Sequence, residues 1–250
     1  MGNQTTILQT KNLSVGYTSS REQQLIFNDL NLAAKTGELH CLLGVNGIGK
    51  STLLRTLAGL QPTLSGEIII DGQAIQQYNS KQLATKIAVV LTNQGINASL
   101  TVKELVEMGR YPYTGWSGRL NETDKEAVAK ALALCEIEAI AHKNIHKISD
   151  GQLQKTLIAR AIAQDCPLMI LDEPTVHLDP NNRYLIIELL SKVAHQSNKC
   201  ILLSTHQVEM AIDLSDKIWL AKSENTLLAD IPSKLLENND IKSVFPYTRP

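Results

Sequence analysis

The stretch Gly44-Val45-Asn46-Gly47-Ile48-Gly49-Lys50-Ser51-Thr52 has the spacing G-x-x-x-x-G-K-[ST], that of a loop built to wrap phosphate. Glycines let several backbone N–H groups converge on one anion, and the positive end of the following helix adds to the attraction. On this reading Gly44, Asn46, Gly47, Gly49, Lys50, Ser51 and Thr52 surround a nucleoside triphosphate, with Lys50 on the outer phosphates and the Ser51 hydroxyl on Mg²⁺. A second element is Leu168-Met169-Ile170-Leu171-Asp172-Glu173, an apolar strand closed by two carboxylates. Asp172 fits a metal-organising carboxylate paired with Ser51, and Glu173 suits a base or positioner for an attacking water. Acids that close a strand are often turn residues, a reading that recedes downstream of a phosphate loop. The third is Ile148-Ser149-Asp150-Gly151-Gln152, ahead of a helix expected from about Leu153. Ser149 and Gln152 have capping-box spacing, and Asp150 suits a positive helix end. Capping and anion binding use the same orphan N–H groups.

These residues need elements that carry them to one place. Leu39 to Leu43 reads as a buried strand before the loop, and Leu53 to Ala58 as a helix after it. The strand before the loop is expected to run from Gly37 to Leu43, and further strands at Ile7 to Val15, Gly66 to Asp71 with an Asp71-Gly72 turn, and Ile87 to Leu91. Thr101 to Gly109 and Glu122 to Ile140 carry helical periodicity, marking a helical insertion. Beyond it, Leu153, Leu157, Ile158, Ala161 and Ile162 form one helix face, Leu168 to Leu171 a strand, Arg183 to Ala194 a helix, Cys200 to Ser204 a strand and Val208 to Leu214 a helix. Strands alternating with helices predict a parallel sheet covered on both faces, with ligands at the carboxyl ends of its strands. The expected class is α/β: a P-loop NTPase core with a parallel sheet, an N-terminal antiparallel β portion and an inserted helical subdomain. The divisions fall at 1–94, 95–160 and 161–250.

With these motifs in this order the chain resembles the ATP-binding cassette family. The family signature L-S-G-G-Q is matched at Ser149, Gly151 and Gln152, with departures at Ile148 and Asp150. Tyr17 stands where the family has its adenine-stacking aromatic, Gln94 where it has the glutamine after a strand, Val176-His177-Leu178-Asp179 where it has the D-loop, and His206 where it has the switch histidine. Taken alone, Tyr17 reads rather as a strand-end core aromatic, and only its position before the phosphate loop favours base stacking; His206 alone can be a structural histidine. The resemblance implies ATP hydrolysis with ATP and Mg²⁺ as cofactors: Glu173, His206 and Gln94 catalytic; Ser51, Gln94 and Asp172 on the metal. It also implies that Ser149, Gly151 and Gln152 act in trans, on the ATP of a second copy in a head-to-tail dimer.

Composition by itself names no partner. At 250 residues, with 24 Lys+Arg against 25 Asp+Glu, there is no basic excess to suggest a nucleic-acid surface. No apolar stretch reaches membrane-span length, and the polar start Met1 to Thr6 does not read as a secretory signal. Cys41, Cys135, Cys166 and Cys200 are scattered without metal-type spacing and read as reduced core thiols; His40, His142, His146 and His195 show no ligand spacing. A cytoplasmic subunit, peripheral on the inner face of the cell membrane, is expected. Separate cassettes of this size resemble those of importers, whose transmembrane permease subunits are separate polypeptides and whose substrate-binding protein acts indirectly. The stretch Glu104 to Trp116 is similar to a segment of cassettes serving iron–siderophore, haem and cobalamin importers. Its aromatics read either as local packing or as an anchor for the permease. The alternative is a soluble cassette ATPase acting on DNA or the ribosome. Against it stand the missing coiled-coil interruption and the presence of one cassette only.

Overall fold

The computed structural model describes residues 4–18, 23–91, 98–116, 118–176, 178–223 and 225–246. In chain order the strands and helices are β1 (Thr6–Thr18), β2 (Gln23–Leu30), β3 (Ala33–Lys35), β4 (Leu39–Leu43), α1 (Lys50–Leu57), β5 (Ser65–Ile70), β6 (Gln73–Ala74), α2 (Ser80–Leu83) and β7 (Ile87–Val90). There follow α3 (Val102–Glu107), α4 (Glu122–Leu134), α5 (Asp150–Ala163), β8 (Leu168–Leu171), α6 (Pro180–Gln196) and β9 (Cys200–Thr205). The chain closes with α7 (Val208–Leu214), β10 (Lys217–Ser223), β11 (Thr226–Asp230), α8 (Pro232–Glu237) and α9 (Asp240–Val244).

Two sheets result. One has the order β2-β1-β5-β6, with β3 also on β1, and its pairings are antiparallel. The other has the order β11-β10-β4-β9-β8-β7; it is parallel from β10 to β7, with β11 antiparallel at the edge. Its strands β4, β8 and β9 are buried along their whole length, which is why they read as continuous apolar runs rather than as alternating ones. Alternation survives in the side to which each residue points. Leu39, Cys41, Leu43, Met169, Leu171, Ile201 and Leu203 join a core with α3 to α6, whereas Leu42, Leu168, Ile170, Cys200 and Leu202 join a second core with α1 and the antiparallel sheet. The parallel sheet thus separates two hydrophobic layers and is fixed from both faces.

The helical region rests on one buried cation. Arg110 donates from Nε to Asp124 Oδ1 at 2.9 Å and from Nη1 to the Ala163 carbonyl at 2.8 Å, and its guanidinium lies 4.0 Å over the Tyr113 ring. α5 binds this region to the sheet, because Arg160 donates to the Val89 carbonyl at 3.1 Å. The expected division at 160 therefore falls inside α5, and the one at 94 lies outside the described residues.

Several element ends differ from the sequence reading. α4 stops at Leu134 rather than running to Ile140, because Glu136 takes a left-handed conformation with φ 55° and turns the chain. α3 stops at Glu107, and the chain tightens into 3₁₀ geometry over Met108–Tyr113. α6 starts earlier than Arg183, with Asp179 as N-cap and Pro180 in its first turn. α5 starts at Asp150, not near Leu153. All four cysteines are free and buried, and burial pushes the Cys41, Cys135 and Cys166 thiols up to about 12. Among the described residues no helix is long and apolar enough to cross a membrane.

Candidate functional site

Strand order decides which motifs meet. β4 leads into the phosphate loop, β8 ends at Asp172, β9 ends before His206, and β9 lies between the other two. Loop, acids and histidine therefore emerge side by side at the carboxyl ends of neighbouring parallel strands.

The loop turns on two glycines with positive φ, Gly47 at 81° and Gly49 at 106°. A Cβ at Gly49 would lie 2.2 Å from Ile26 Cγ2, so both backbone and space demand glycine there. Gly49 is also the N-cap of α1, and it supplies no side-chain hydrogen bond. The other helices of eight residues or more are capped by Asn121, Ser149 and Asp179. At the phosphate loop alone among these four, the orphan N–H groups are left to an outside acceptor.

Lys50 opens α1 and is buried. Its ammonium donates to the carbonyls of Gly44 at 2.8 Å and Val45 at 3.1 Å, and lies 3.6 Å from Glu173 Oε1. Burial lowers its pKa below the ordinary lysine value, an effect opposed by the Glu173 and Asp172 carboxylates. Ser51 donates to Asp172 Oδ1 at 3.0 Å. Ser204 of β9 donates to the same oxygen at 2.8 Å and accepts the Glu173 N–H at 2.8 Å. Glu173 is left-handed, with φ 44°, and His206 Nδ1 lies 4.0 Å from its Oε1.

Tyr17 is half-exposed, and its hydroxyl is 2.6 Å from Thr52 Oγ1. The Thr52 hydroxyl is thus engaged by Tyr17. The two residues line a cavity of about 420 Å³ with Gln24, Leu25, Ile26 and the loop from Val45 to Gly49, Asn46 and Gly47 included. A planar ring on an open wall beside the loop suits stacking of a base; the core reading of Tyr17 does not fit its exposure. Gln94 and His177 lie outside the described residues.

The signature segment is elsewhere. Ser149 caps α5: Gln152 N–H donates to Ser149 Oγ at 3.3 Å, and Ser149 N–H to Gln152 Oε1 at 3.2 Å. Ser149, Gly151 and Gln152 line a cavity of about 420 Å³ that shares no residue with the loop's cavity. Leu178 reaches over Gly151, where a Cβ would lie 3.3 Å from Leu178 Cδ2. Asp150 is exposed, and none of the ion pairs among the described residues includes it. The aromatics of the Glu104 to Trp116 stretch are all exposed, but Tyr113 also lies under the Arg110 guanidinium, while Tyr111 and Trp116 are the more exposed.

Two contributors escaped sequence reasoning. The sequence shows Arg110 only as part of the Glu104 to Trp116 stretch, and Ser204 only as the end of a strand. A charged or hydroxyl side chain within an otherwise apolar run was the signal that could have found them.

The family model described as ABC transporter matches residues 27–176, which include the loop, both acids and the signature segment. This chain belongs to the ABC transporter ATP-binding family. Its relatives include an uncharacterized ABC transporter ATP-binding protein, MJ0873, of Methanocaldococcus jannaschii, 35% identical over 96% of this chain and 81% of that one. Another is the petrobactin import ATP-binding protein FpuD of Bacillus anthracis, 34% identical over 95% and 86%. A third is the iron(3+)-hydroxamate import ATP-binding protein FhuC of Bacillus subtilis, 31% identical over 95% and 87%. Among solved structures, an inward-facing one assigned to the metal-chelate type of ABC transporter is similar with a TM-score of 0.82 and 28% identity, over 97% of this chain and 90% of that one. A dimeric post-hydrolysis cassette, MJ0796 bound to ADP and Pi, has a TM-score of 0.77 and 26% identity over 89% and 98%. The chain is an ABC cassette ATPase and binds ATP.

Proposed function

We propose that this cassette is the ATP-hydrolysing subunit of an importer, powering uptake of an iron chelate through separate permease subunits from the cytoplasmic face of the membrane. The observation that carries the ATPase part is the convergence of Lys50, Ser51, Asp172 and Glu173 at neighbouring strand ends. The iron-chelate part is supported by relatives named for petrobactin and iron(3+)-hydroxamate import that match over 95% of the chain.

In this reading Tyr17 stacks on adenine, and the loop N–H groups with Lys50 hold the phosphates. Ser51 and Asp172 fit Mg²⁺, as hard oxygen donors 3.0 Å apart beside a phosphate site. Gln94 joins them in the proposal. Mg²⁺ supplies charge neutralisation on the phosphate oxygens when it is bound. Glu173 takes the proton of the attacking water, and His206 holds the water and the terminal phosphate by hydrogen bonds. Ser149, the Gly151 N–H and Gln152 serve the ATP of a second copy: the Ser149 oxygen accepts within its own helix, but its proton can still be donated outward. Exposed Tyr111 and Trp116 suit the permease contact. A substrate-binding protein acts upstream of the permease in this proposal.

The test is purification of the chain from its own membranes, with nucleotide binding measured beside it. A membrane permease should co-purify, and the reconstituted complex should take up a ferric chelate in preference to haem or cobalamin. Lys50→Ala should weaken ATP binding. Undiminished affinity in that variant refutes the phosphate-loop assignment; ribosomes or nucleic acid in place of a permease refute the importer.

A further inference from the structure

We propose that Ser204 is a positioning residue for hydrolysis, its one hydroxyl fixing the metal-side carboxylate and the backbone of the base relative to each other. The proposal rests on the reading of Asp172 and Glu173 given above. It assigns a role to Ser204, which the motif readings left without one.

Ser204 is fully buried in β9, the strand between the one that feeds the loop and the one that ends at the acids. Leu203 pairs with Leu171 in the β8–β9 register, so Ser204 lies one step further on, level with Asp172; Ser204 itself pairs with Leu42 on the other side. The hydrogen-bond directions are forced. The Glu173 backbone N–H can only donate, so the Ser204 oxygen accepts it, and the hydroxyl proton is then directed to Asp172 Oδ1. Ser204 thereby bonds two consecutive residues at once, one through its side chain and one through its main chain.

Both bonds hold something that would otherwise drift. Glu173 is left-handed at φ 44°, a conformation that a side chain with a Cβ adopts at a cost and keeps only when its surroundings enforce it. The Ser204 bond to its N–H is one such restraint, and the Val176 N–H bond to its carbonyl at 3.3 Å is another. Asp172 Oδ1 receives one hydroxyl from α1, that of Ser51, and one from β9, that of Ser204. Ser51 is itself assigned to the metal, so Ser204 is a restraint on this oxygen that metal binding does not draw upon. Removing it would loosen the metal carboxylate and leave the Glu173 N–H unpaired in the same stroke. Thr205, the next residue, acts elsewhere, for its hydroxyl accepts the Gln207 N–H at 3.1 Å and so shapes the turn that carries His206.

The experiment compares Ser204→Ala and Ser204→Thr in the full chain, with Asp172→Asn and Glu173→Gln alongside. Three quantities are read: steady-state hydrolysis, Mn²⁺ affinity by electron paramagnetic resonance with ATP present, and the thermal midpoint. Ser204→Ala should lose about ten- to a hundredfold in kcat with KM for ATP within about threefold, since misplacement of reacting groups costs rate rather than binding. Mn²⁺ affinity should fall about tenfold, the usual cost of losing a group that orients a metal ligand. Ser204→Thr, which keeps the hydroxyl, should restore both. If Ser204→Ala lowers only the thermal midpoint and keeps parental kcat and Mn²⁺ affinity, Ser204 is an ordinary strand residue and the proposal is overturned. Parental turnover in Asp172→Asn and Glu173→Gln would overturn the site assignment instead. Should Ser204→Ala not fold, Ser204→Cys, with its weaker hydrogen bonds, is judged by the same criteria.

Discussion

Replacement of Glu173 by Gln separates the two things this carboxylate does. The amide keeps the volume of the side chain and does not touch the main-chain bond from Glu173 N–H to Ser204, so the left-handed turn at φ 44° should persist. What disappears is a base and a negative charge. Loss of a positioned base costs about 10²–10⁴ in rate, equivalent to about 3–5 kcal/mol of activation free energy. The charge lies 3.6 Å from Lys50 Nζ, a separation at which unit charges attract by about 5 kcal/mol at an effective dielectric of about 20, before desolvation is subtracted. Glu173 therefore competes with phosphate for the loop's ammonium. Its neutralisation should leave ATP affinity unchanged or raise it by up to about tenfold, a gain of about 1.4 kcal/mol, while hydrolysis falls at least about a hundredfold. ATP should then hold two copies together, which sedimentation would show as a dimer that ADP does not produce. The assay is single-turnover phosphate release beside equilibrium binding of a fluorescent ATP analogue. Hydrolysis at the parental rate would refute the assignment of the base. A loss of affinity parallel to the loss of rate would show that Glu173 builds the loop rather than acting on water.

Asp150→Gly removes an exposed carboxylate from the first turn of α5, so it should cost about 0.3–1 kcal/mol of helix stability, or a few degrees in the thermal midpoint. It should spare ATPase activity and modestly tighten ATP-driven dimerisation, with the gain fading at high salt; a large loss of activity in folded protein would give this carboxylate a positive role in the composite site. For Asp124, burial raises the pKa, but the Asn121 N–H and the Arg110 guanidinium outweigh it and hold the carboxyl below its ordinary value. A carboxyl depressed in the folded state contributes stability above its unfolded pKa of about 3.9, and that stability is lost as pH falls through the folded value. Thermal midpoints should therefore drop more steeply below about pH 4 in the parent than in Asp124→Asn, and equal slopes would exclude the pair as the cause. Gly109→Ala places a Cβ 2.3 Å from the Arg160 carbonyl oxygen, so it should destabilise by about 1–3 kcal/mol in denaturant titration; an unchanged midpoint would mean that α5 can move aside freely.

How much of this was legible in the sequence depends on whether a residue's role is local. The turn of the loop at Gly47 and Gly49 and the capping box at Ser149 and Gln152 are set by neighbours within a few positions, and the structure has both. The helix from Pro180 was equally local, since Asp179-Pro180 is a cap followed by an N-terminal proline, a signal that the periodicity argument passed over. The end of α4 was not legible, because Glu136 turns left-handed where a glycine would have announced the stop. β2 was missed for another reason: it is exposed at Gln23, Gln24 and Leu25 and again at Asn28 and Asp29, so no clean alternation marks it. Ser204 and Arg110 lie at the far extreme. Ser204 matters because β9 falls between β4 and β8, and Arg110 because α4 and α5 close around it. Strand order and helix packing are properties of the whole chain, and no short window of sequence contains them.

The helix starts show how one physical rule distinguishes binding from structure in this cassette. Every α-helix begins with N–H groups that lack intrahelical partners, and the chain can satisfy them itself or leave them for something else. It satisfies them with side chains at α4 and α6 through Asn121 and Asp179, far from the loop in sequence. At α1 it places glycine in the N-cap position, where Ser, Asp or Asn would stabilise the helix by about 0.5–2 kcal/mol over an inert residue and by only a few tenths over glycine. The sacrifice is small because glycine is the second-best choice, and the backbone freedom gained is what lets the loop turn at φ 106°. At α5 the chain does both, since Ser149 closes the capping box and yet retains a hydroxyl proton. An end that is capped when alone and can still donate is what the role proposed for it, toward a second copy's ATP, requires.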